Sequence, residues 1–137
     1  MSQHSPATES PLILVADGDS AVARRLASYL RQRGFQASYT SSGEDVLRLA
    51  STGRLGLAII DVSLQDGSGH QVASRLKAMD PEIRVLMTTA DYRPELEIRA
   101  RQAGVLYYAQ KPADYEMLEA VVAKAMARCL AEGGLGS

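Results

Sequence analysis

Three aspartates, two threonines and a lysine stand at the ends of apolar runs, and they are the side chains of this sequence best suited to chemistry. Asp17 and Asp19 follow LILVA with Gly18 between them, and Asp61 follows LGLAII. Thr88, Thr89 and Ala90 follow IRVLM, and Gln110 and Lys111 follow VLYYA. Carboxylates gathered this way repel one another: two unit charges about 4 Å apart interact by about 4 kcal/mol at an effective dielectric of about 20. A hard divalent cation relieves that repulsion, and Mg²⁺ takes one or two carboxylates together with water and phosphate oxygens. A lysine and a hydroxyl on the same rim can hold the oxygens of an incoming phosphoryl group. An aspartate can itself be the nucleophile, giving an acyl phosphate. The residues alone therefore point to Mg²⁺-assisted phosphoryl transfer onto an aspartate.

Such a rim exists only if the four apolar runs lie side by side with their carboxyl ends together. Leu12–Ala16 and 55–60 are uninterrupted apolar runs, the mark of strands buried on both faces. Residues 83–87 and 105–109 read as two more strands, and 35–40 as a weaker, partly polar one expected at a sheet edge. Between them lie helical patterns. Ser20 is placed to cap the first, in which Val22, Leu26, Tyr29 and Leu30 share a face opposite Arg24, Arg25, Arg31 and Arg33. Ser42 opens the second, with Val46, Leu47, Leu49 and Ala50. Val72, Leu76 and Met79 mark the third, stopped by Asp80-Pro81. The fourth starts at Pro94 and runs to Ala103, with Gly104 closing it. The last carries Leu118, Val121, Val122, Ala125, Met126 and Cys129 on its apolar stripe. Five strands alternating with five helices predict an α/β fold, a doubly wound parallel sheet with helices on both faces and its ligand crevice at the carboxyl ends of the strands.

Composition excludes several classes. The chain has 137 residues, 46% of them hydrophobic and 23% charged, which suits one globular domain. Fifteen basic against sixteen acidic side chains leave a net charge of −1, without the basic footprint of direct nucleic-acid binding. A single cysteine, Cys129, excludes a disulfide framework and a multi-cysteine zinc site. The apolar runs are too short to span a membrane, and the polar first ten residues hold no signal-peptide core, so a soluble cytoplasmic protein is expected. Residues 1–10 and 132–137 read as disordered tails around a domain at 11–131. His70 reads as a partly exposed residue at a helix start, and Gly67-Ser68-Gly69 as a turn.

The stretches LILVADGDSAVARRL, LAIIDVSLQDGSG, VLMTTAD and YYAQKPAD, in this order and spacing, resemble the receiver domain of bacterial two-component response regulators, over about residues 11–131. The resemblance implies a flavodoxin-like, CheY-like (βα)5 fold with strand order 2-1-3-4-5. It makes Asp61 the phosphoacceptor, Thr89 the hydroxyl that contacts the phosphoryl group, Ala90 its small neighbour, Lys111 (before Pro112) the phosphate-binding lysine and Tyr108 the aromatic switch. It assigns Mg²⁺ to Asp17, Asp61 and the main-chain carbonyl of Ser63, and the tuning of dephosphorylation to Ser63 and Asp91. The donor is then a histidine kinase or phosphotransfer protein. The response is passed to an effector protein or output domain, or to a second copy, through the face made by the fourth helix, fifth strand and fifth helix. No output domain follows residue 131, so the sequence reads either as a lone receiver or as one excised from a longer protein. Such a domain is a switch rather than an enzyme.

The sequence departs from the family at Gly18, where a second metal-binding acid is usual, and this implies weaker Mg²⁺ binding. Asp19 is an acid one place later that could substitute, although as a helix-start acid it has an ordinary explanation. Gln65 replaces the family's usual proline, read as a minor change. Two alternatives follow. One is a pseudo-receiver that binds partners without being phosphorylated. The other is a phosphatase, because Asp17-Gly18-Asp19 resembles the D-x-D start of haloacid-dehalogenase-type enzymes. Against the second stand Ala21, where that family has threonine or valine, and the lack of its late acidic pair.

Overall fold

The apolar runs form the middle of one parallel sheet. The computed structural model describes residues 12–136, so the expected N-terminal tail and residue 137 lie outside the described residues, as does the side chain of Cys129. In chain order the elements are β1 (Leu12–Ala16), α1 (Ser20–Gln32), β2 (Ala37–Thr40), α2 (Gly43–Ala50), β3 (Leu55–Asp61), β4 (Ser63–Leu64), β5 (Gly67–Ser68), α3 (Gly69–Met79), β6 (Arg84–Thr89), α4 (Pro94–Gln102), β7 (Tyr107–Gln110) and α5 (Tyr115–Gly136). The large sheet runs β2-β1-β3-β6-β7 with every pairing parallel. Counted over its own five strands, this is the expected order 2-1-3-4-5. β4 and β5 form a separate antiparallel pair between β3 and α3.

Successive strand residues point to opposite faces, and here both faces are apolar. Leu14, Ala58, Ile60, Val85 and Met87 pack against Val46 of α2, Val72 and Leu76 of α3 and Ala100 of α4. Ile13, Val15, Leu57, Ile59 and Leu86 pack against Leu26 and Leu30 of α1 and Leu118 and Val122 of α5. Each such buried aliphatic side chain contributes about 1.5–3 kcal/mol, so the central strands anchor the fold. No helix among the described residues is long and apolar enough to cross a membrane.

Several boundaries differ from expectation. Asp19, not Ser20, caps α1, its carboxylate accepting from the amides of Ala21 and Val22. A carboxylate there also meets the positive end of the helix dipole. β2 starts at Ala37 rather than at residue 35, and β7 at Tyr107 rather than 105. β6 takes in both Thr88 and Thr89. Gly67-Ser68, read as part of a turn, pairs with Ser63-Leu64, and Ser68 then caps α3. Met79 ends α3 half-exposed rather than on its buried stripe. α5 continues to Gly136, past the boundary expected at 131. Gly34, at φ +98°, and Gly104, at φ +104°, turn the chain out of α1 and α4 in the left-handed conformation that glycine adopts without strain.

Candidate functional site

β1, β3, β6 and β7 deliver their carboxyl ends to one rim. Of the polar side chains there, Asp17, Asp61, Thr88 and Thr89 are all buried, none more than 5% exposed. The Lys111 ammonium joins the two acids. Its Nζ lies 2.5 Å from Asp17 Oδ2 and 3.0 Å from Asp61 Oδ1. Burial acts to lower the Lys111 pKa, but the hydrogen bonds to Asp17 and Asp61 outweigh it, and the net direction is upward. Lys111 is thus held as a cation facing two carboxylates. The remaining carboxylate capacity is used locally: Asp17 Oδ1 accepts from the Asp19 amide at 2.9 Å, and Asp61 Oδ2 from the Ser63 amide at 2.9 Å.

The two threonines divide differently from expectation. Thr89 Oγ1 donates to the Asp91 carbonyl at 2.9 Å and accepts from the Asp91 amide at 3.0 Å, so it is turned to its own loop. Thr88, to which the resemblance gave no role, donates from Oγ1 to Asp61 Oδ1 at 2.8 Å. Ala90 is exposed beside them. The Asp91 carboxylate is exposed and pairs with Arg93 at 2.9 Å.

Asp19 does not join the acids, because its Oδ1 is the cap of α1. Gly18 has a different use. Its amide donates to the Ser63 carbonyl at 2.9 Å, and a Cβ built on it would stand 2.8 Å from that carbonyl oxygen. A side chain at 18 and this contact therefore exclude one another unless the β4–β5 pair moves. Gln65 reinforces the contact. Its Nε2 donates to the Gly18 carbonyl at 3.3 Å and its amide to the Ser41 carbonyl at 3.0 Å. A proline at 65 would have no N–H for the second bond, so the exchange is structural rather than minor.

Tyr108 is buried, and its hydroxyl lies 3.2 Å from His70 Nε2. The two rings are 5.9 Å apart, and Tyr92 meets Tyr108 edge-on at 6.3 Å. Burial, and then the charge of Arg99, lower the pKa of His70. Burial, then the charges of Glu97 and Asp61, raise that of Tyr108. His70 is half-buried, and its partner is what the sequence left unseen. The only signal was a histidine at the start of the helix that follows the acidic loop.

For a divalent cation the donor chemistry fits. Asp17 and Asp61 converge on one cation already, and the Ser63 carbonyl lies next to them in the fold. Among the described residues no three Asp, Glu, His or Cys side chains gather as a metal-binding group. Mg²⁺ would thus be held by two carboxylates that it shares with Lys111 and by a carbonyl that already accepts from Gly18. That donor set suits a loosely held ion.

A family model described as the response regulator receiver domain matches residues 13–123. The transcriptional regulatory protein ZraR of Salmonella typhimurium is 32% identical over 115 residues, covering 84% of this chain and 26% of that protein. The chain therefore spans about a quarter of that relative's length. Among solved structures, the signal receiver domain of a putative LuxO repressor protein from Vibrio parahaemolyticus superposes with a TM-score of 0.86 at 22% identity, covering 94% of this chain and 99% of that one. A response regulator from Burkholderia pseudomallei, with a phosphorylated aspartic acid, a calcium ion and citrate, superposes at 0.76 with 25% identity, covering 93% of this chain and 75% of that one.

Proposed function

The chain belongs to the response regulator receiver domain family, and on that premise we propose that Asp61 accepts a phosphoryl group from the phosphohistidine of a histidine kinase or phosphotransfer protein. The observation that carries this reading is the Lys111 ammonium between the buried Asp17 and Asp61 carboxylates. An Asp61 oxygen attacks phosphorus, the P–N bond breaks, and the imidazole leaves with its electron pair. The phosphoryl oxygens bring new negative charge to the rim, and Lys111 is the cation placed to meet it. Thr89, the last residue of β6, exchanges the Asp91 main chain for a phosphoryl oxygen that projects past the end of the sheet. A bound Mg²⁺, held by Asp17, Asp61 and the Ser63 carbonyl, would screen the charge between the carboxylate and the phosphoryl oxygens.

The response then runs along the face of α4, β7 and α5. Receiver domains partner with histidine kinases and output domains, and here Ile98, Leu106 and Met117 leave this face 59%, 41% and 50% exposed. An effector, an output domain or a second copy can cover them. The setting of this exchange is cytoplasmic, and nucleic acid is reached through a partner rather than directly.

Incubation with acetyl phosphate and Mg²⁺, followed by mapping of the acyl phosphate by mass spectrometry, tests the reading. Label on Asp61, lost in Asp61→Asn and kept in Asp17→Asn, is the expected result. Label on Asp17 would replace it with phosphatase-type chemistry. No label from acetyl phosphate or from a phosphohistidine donor would leave a protein-binding module that works unphosphorylated.

A further inference from the structure

The hydroxyl that touches Asp61 is Thr88, and the sheet register is the reason. Asp61 is paired with Thr88 across the parallel β3–β6 ladder, so both side chains leave the sheet on the same face. Ile59 and Leu86, two residues back on each strand, lie in the α1–α5 core and identify that face. Thr89 is on the other face, and its hydroxyl is bonded to Asp91. The Thr88–Asp61 hydrogen bond, at 2.8 Å, is buried and ends on Oδ1. Oδ2 accepts from the Ser63 amide.

We propose, resting on the acceptor reading above, that Thr88 is a positioning residue whose hydrogen bond to Asp61 Oδ1 shortens the lifetime of the phosphoryl group. Phosphorus bonds to Oδ2, and Oδ1 becomes the carbonyl oxygen of the acyl phosphate. In hydrolysis a water oxygen bonds to phosphorus and the Oδ2–P bond breaks. Its electron pair returns to the carboxylate, and inorganic phosphate leaves with the water's protons or passes one to solvent. The leaving group is the Asp61 carboxylate. A hydrogen bond to a carboxylate is about twice as strong as one to a neutral oxygen. The Thr88 bond therefore strengthens as the carboxylate forms, and it favours loss of the phosphoryl group over its retention. Lys111 touches the same oxygen but is shared with Asp17 and is drawn toward the phosphoryl oxygens, whereas the Thr88 hydroxyl stays with the carboxylate.

The test compares Thr88→Val, which keeps size and β-branching without the hydroxyl, with Thr88→Ser, which keeps the hydroxyl. Thr88→Ala is a second way to remove it. Each protein is labelled with acetyl phosphate, the donor is removed, and decay of the Asp61 acyl phosphate is followed. Thermal unfolding of the same samples confirms that each variant is folded. Thr88→Val and Thr88→Ala are expected to lengthen the half-life by about threefold to tenfold, and Thr88→Ser to stay within about twofold of the parent. An unchanged or shorter half-life in folded Thr88→Val or Thr88→Ala overturns the inference, as does Thr88→Ser behaving like Thr88→Val. In those cases Asp61 is still labelled and the acceptor reading stands. Absence of any label on Asp61 in the parent overturns the acceptor reading and this inference with it.

Discussion

On the β1 side of Asp61 a loop is tied to the pocket by main-chain hydrogen bonds, whereas on the β7 side the Thr89 and Tyr108 side chains are held by side-chain contacts. The β4–β5 pair is bonded to Gly18 and Ser41, and to Val62 through the Gly69 amide. The Asp66 carboxylate anchors it further by accepting from the amides of Gly43 and Glu44 at the start of α2, which lowers its pKa. Across the pocket, the Thr89 hydroxyl is bonded to one loop residue, and Tyr108 meets His70 and Tyr92 through ring contacts and one hydroxyl. Main-chain bonds of this kind break only if a loop moves as a unit. Side-chain contacts exchange by rotamer changes on a picosecond-to-nanosecond scale when exposed and more slowly when buried. A new charge on Asp61 would therefore be answered on the β7 side, toward α4, while the β1 side stays as a fixed wall.

Lys111 belongs to both sides, so removing it should have the largest effect. Lys111→Met leaves two buried carboxylates without their cation and is expected to cost about 3 kcal/mol of stability at neutral pH. Urea unfolding measures it. Adding Asp17→Asn should recover part of the loss, because it removes one of the two facing charges. The folded-state pKa of Lys111 lies above its ordinary value. Its contribution is then complete below the unfolded lysine pKa and is lost as pH rises through the folded one. The difference between parent and Lys111→Met should narrow only in strongly alkaline solution. A gap that is already closed at neutral pH would mean that Lys111 is not the cation of this pocket.

Gly18→Asp tests the fixed wall. A Cβ there meets the Ser63 carbonyl oxygen at 2.8 Å, so without metal the variant should lose about 1–3 kcal/mol as the hairpin is displaced. It should also bind Mg²⁺ more tightly and regain stability when Mg²⁺ is added. Gly18→Ala should share the loss without the recovery. Calorimetric titration of Mg²⁺ into all three proteins checks this. Equal Mg²⁺ affinity in parent and Gly18→Asp would remove the missing acid as the reason for a weak site.

The same contrast explains how much could be read from the sequence. The central strands were legible because both faces are apolar, as at 55–60. The acid-and-lysine rim was legible because open α/β sheets gather their strand ends in one crevice. What escaped depended on pairing across the sheet. A shift of one residue along a strand reverses the face, so Thr88 and Thr89 cannot be assigned until Asp61 is seen opposite Thr88. Asp19 and Ser20 are both competent helix caps, and only backbone geometry chooses between them. Gly18 and Ser63, like His70 and Tyr108, meet across long stretches of chain. Nothing local in the sequence announces such a contact. The proline missing at 65 became informative only when its amide was found bonded to Ser41.

The β7 side should respond to acid. The pKa of His70 is lowered in the folded protein, so folding favours the neutral ring. Its contribution is complete above the unfolded histidine pKa and is lost as pH falls through the folded one. The charge of Arg99 on α4 acts on the ring, Tyr108 lies against it with Tyr92 behind Tyr108, and Glu97 acts on Tyr108. Protonation places a second cation near Arg99, and loosening of α4 is the expected result. Amide exchange across about pH 5 to 7.5 should show faster opening of α4 at the acid end, with the β4–β5 pair unchanged. His70→Phe should abolish the dependence.

The smallest effect on stability, and a separate one on timing, is expected at Asp91. Its carboxylate is paired with Arg93 in an exposed contact, and such pairs contribute about 0–1 kcal/mol. Asp91→Ala should therefore leave the unfolding midpoint nearly unchanged. The Asp91 main chain, however, holds the Thr89 hydroxyl, and the resemblance to receiver domains gives positions 63 and 91 the tuning of dephosphorylation. Asp91→Ala and Ser63→Ala should each change the dephosphorylation rate while the fold is retained. Ser63→Ala keeps the amide that Asp61 Oδ2 accepts from, so a change there comes from the side chain alone. If both variants lose the phosphoryl group at the parent rate, neither side of the pocket governs access of water. The lifetime would then rest on the carboxylate's own partners, Lys111 and Thr88.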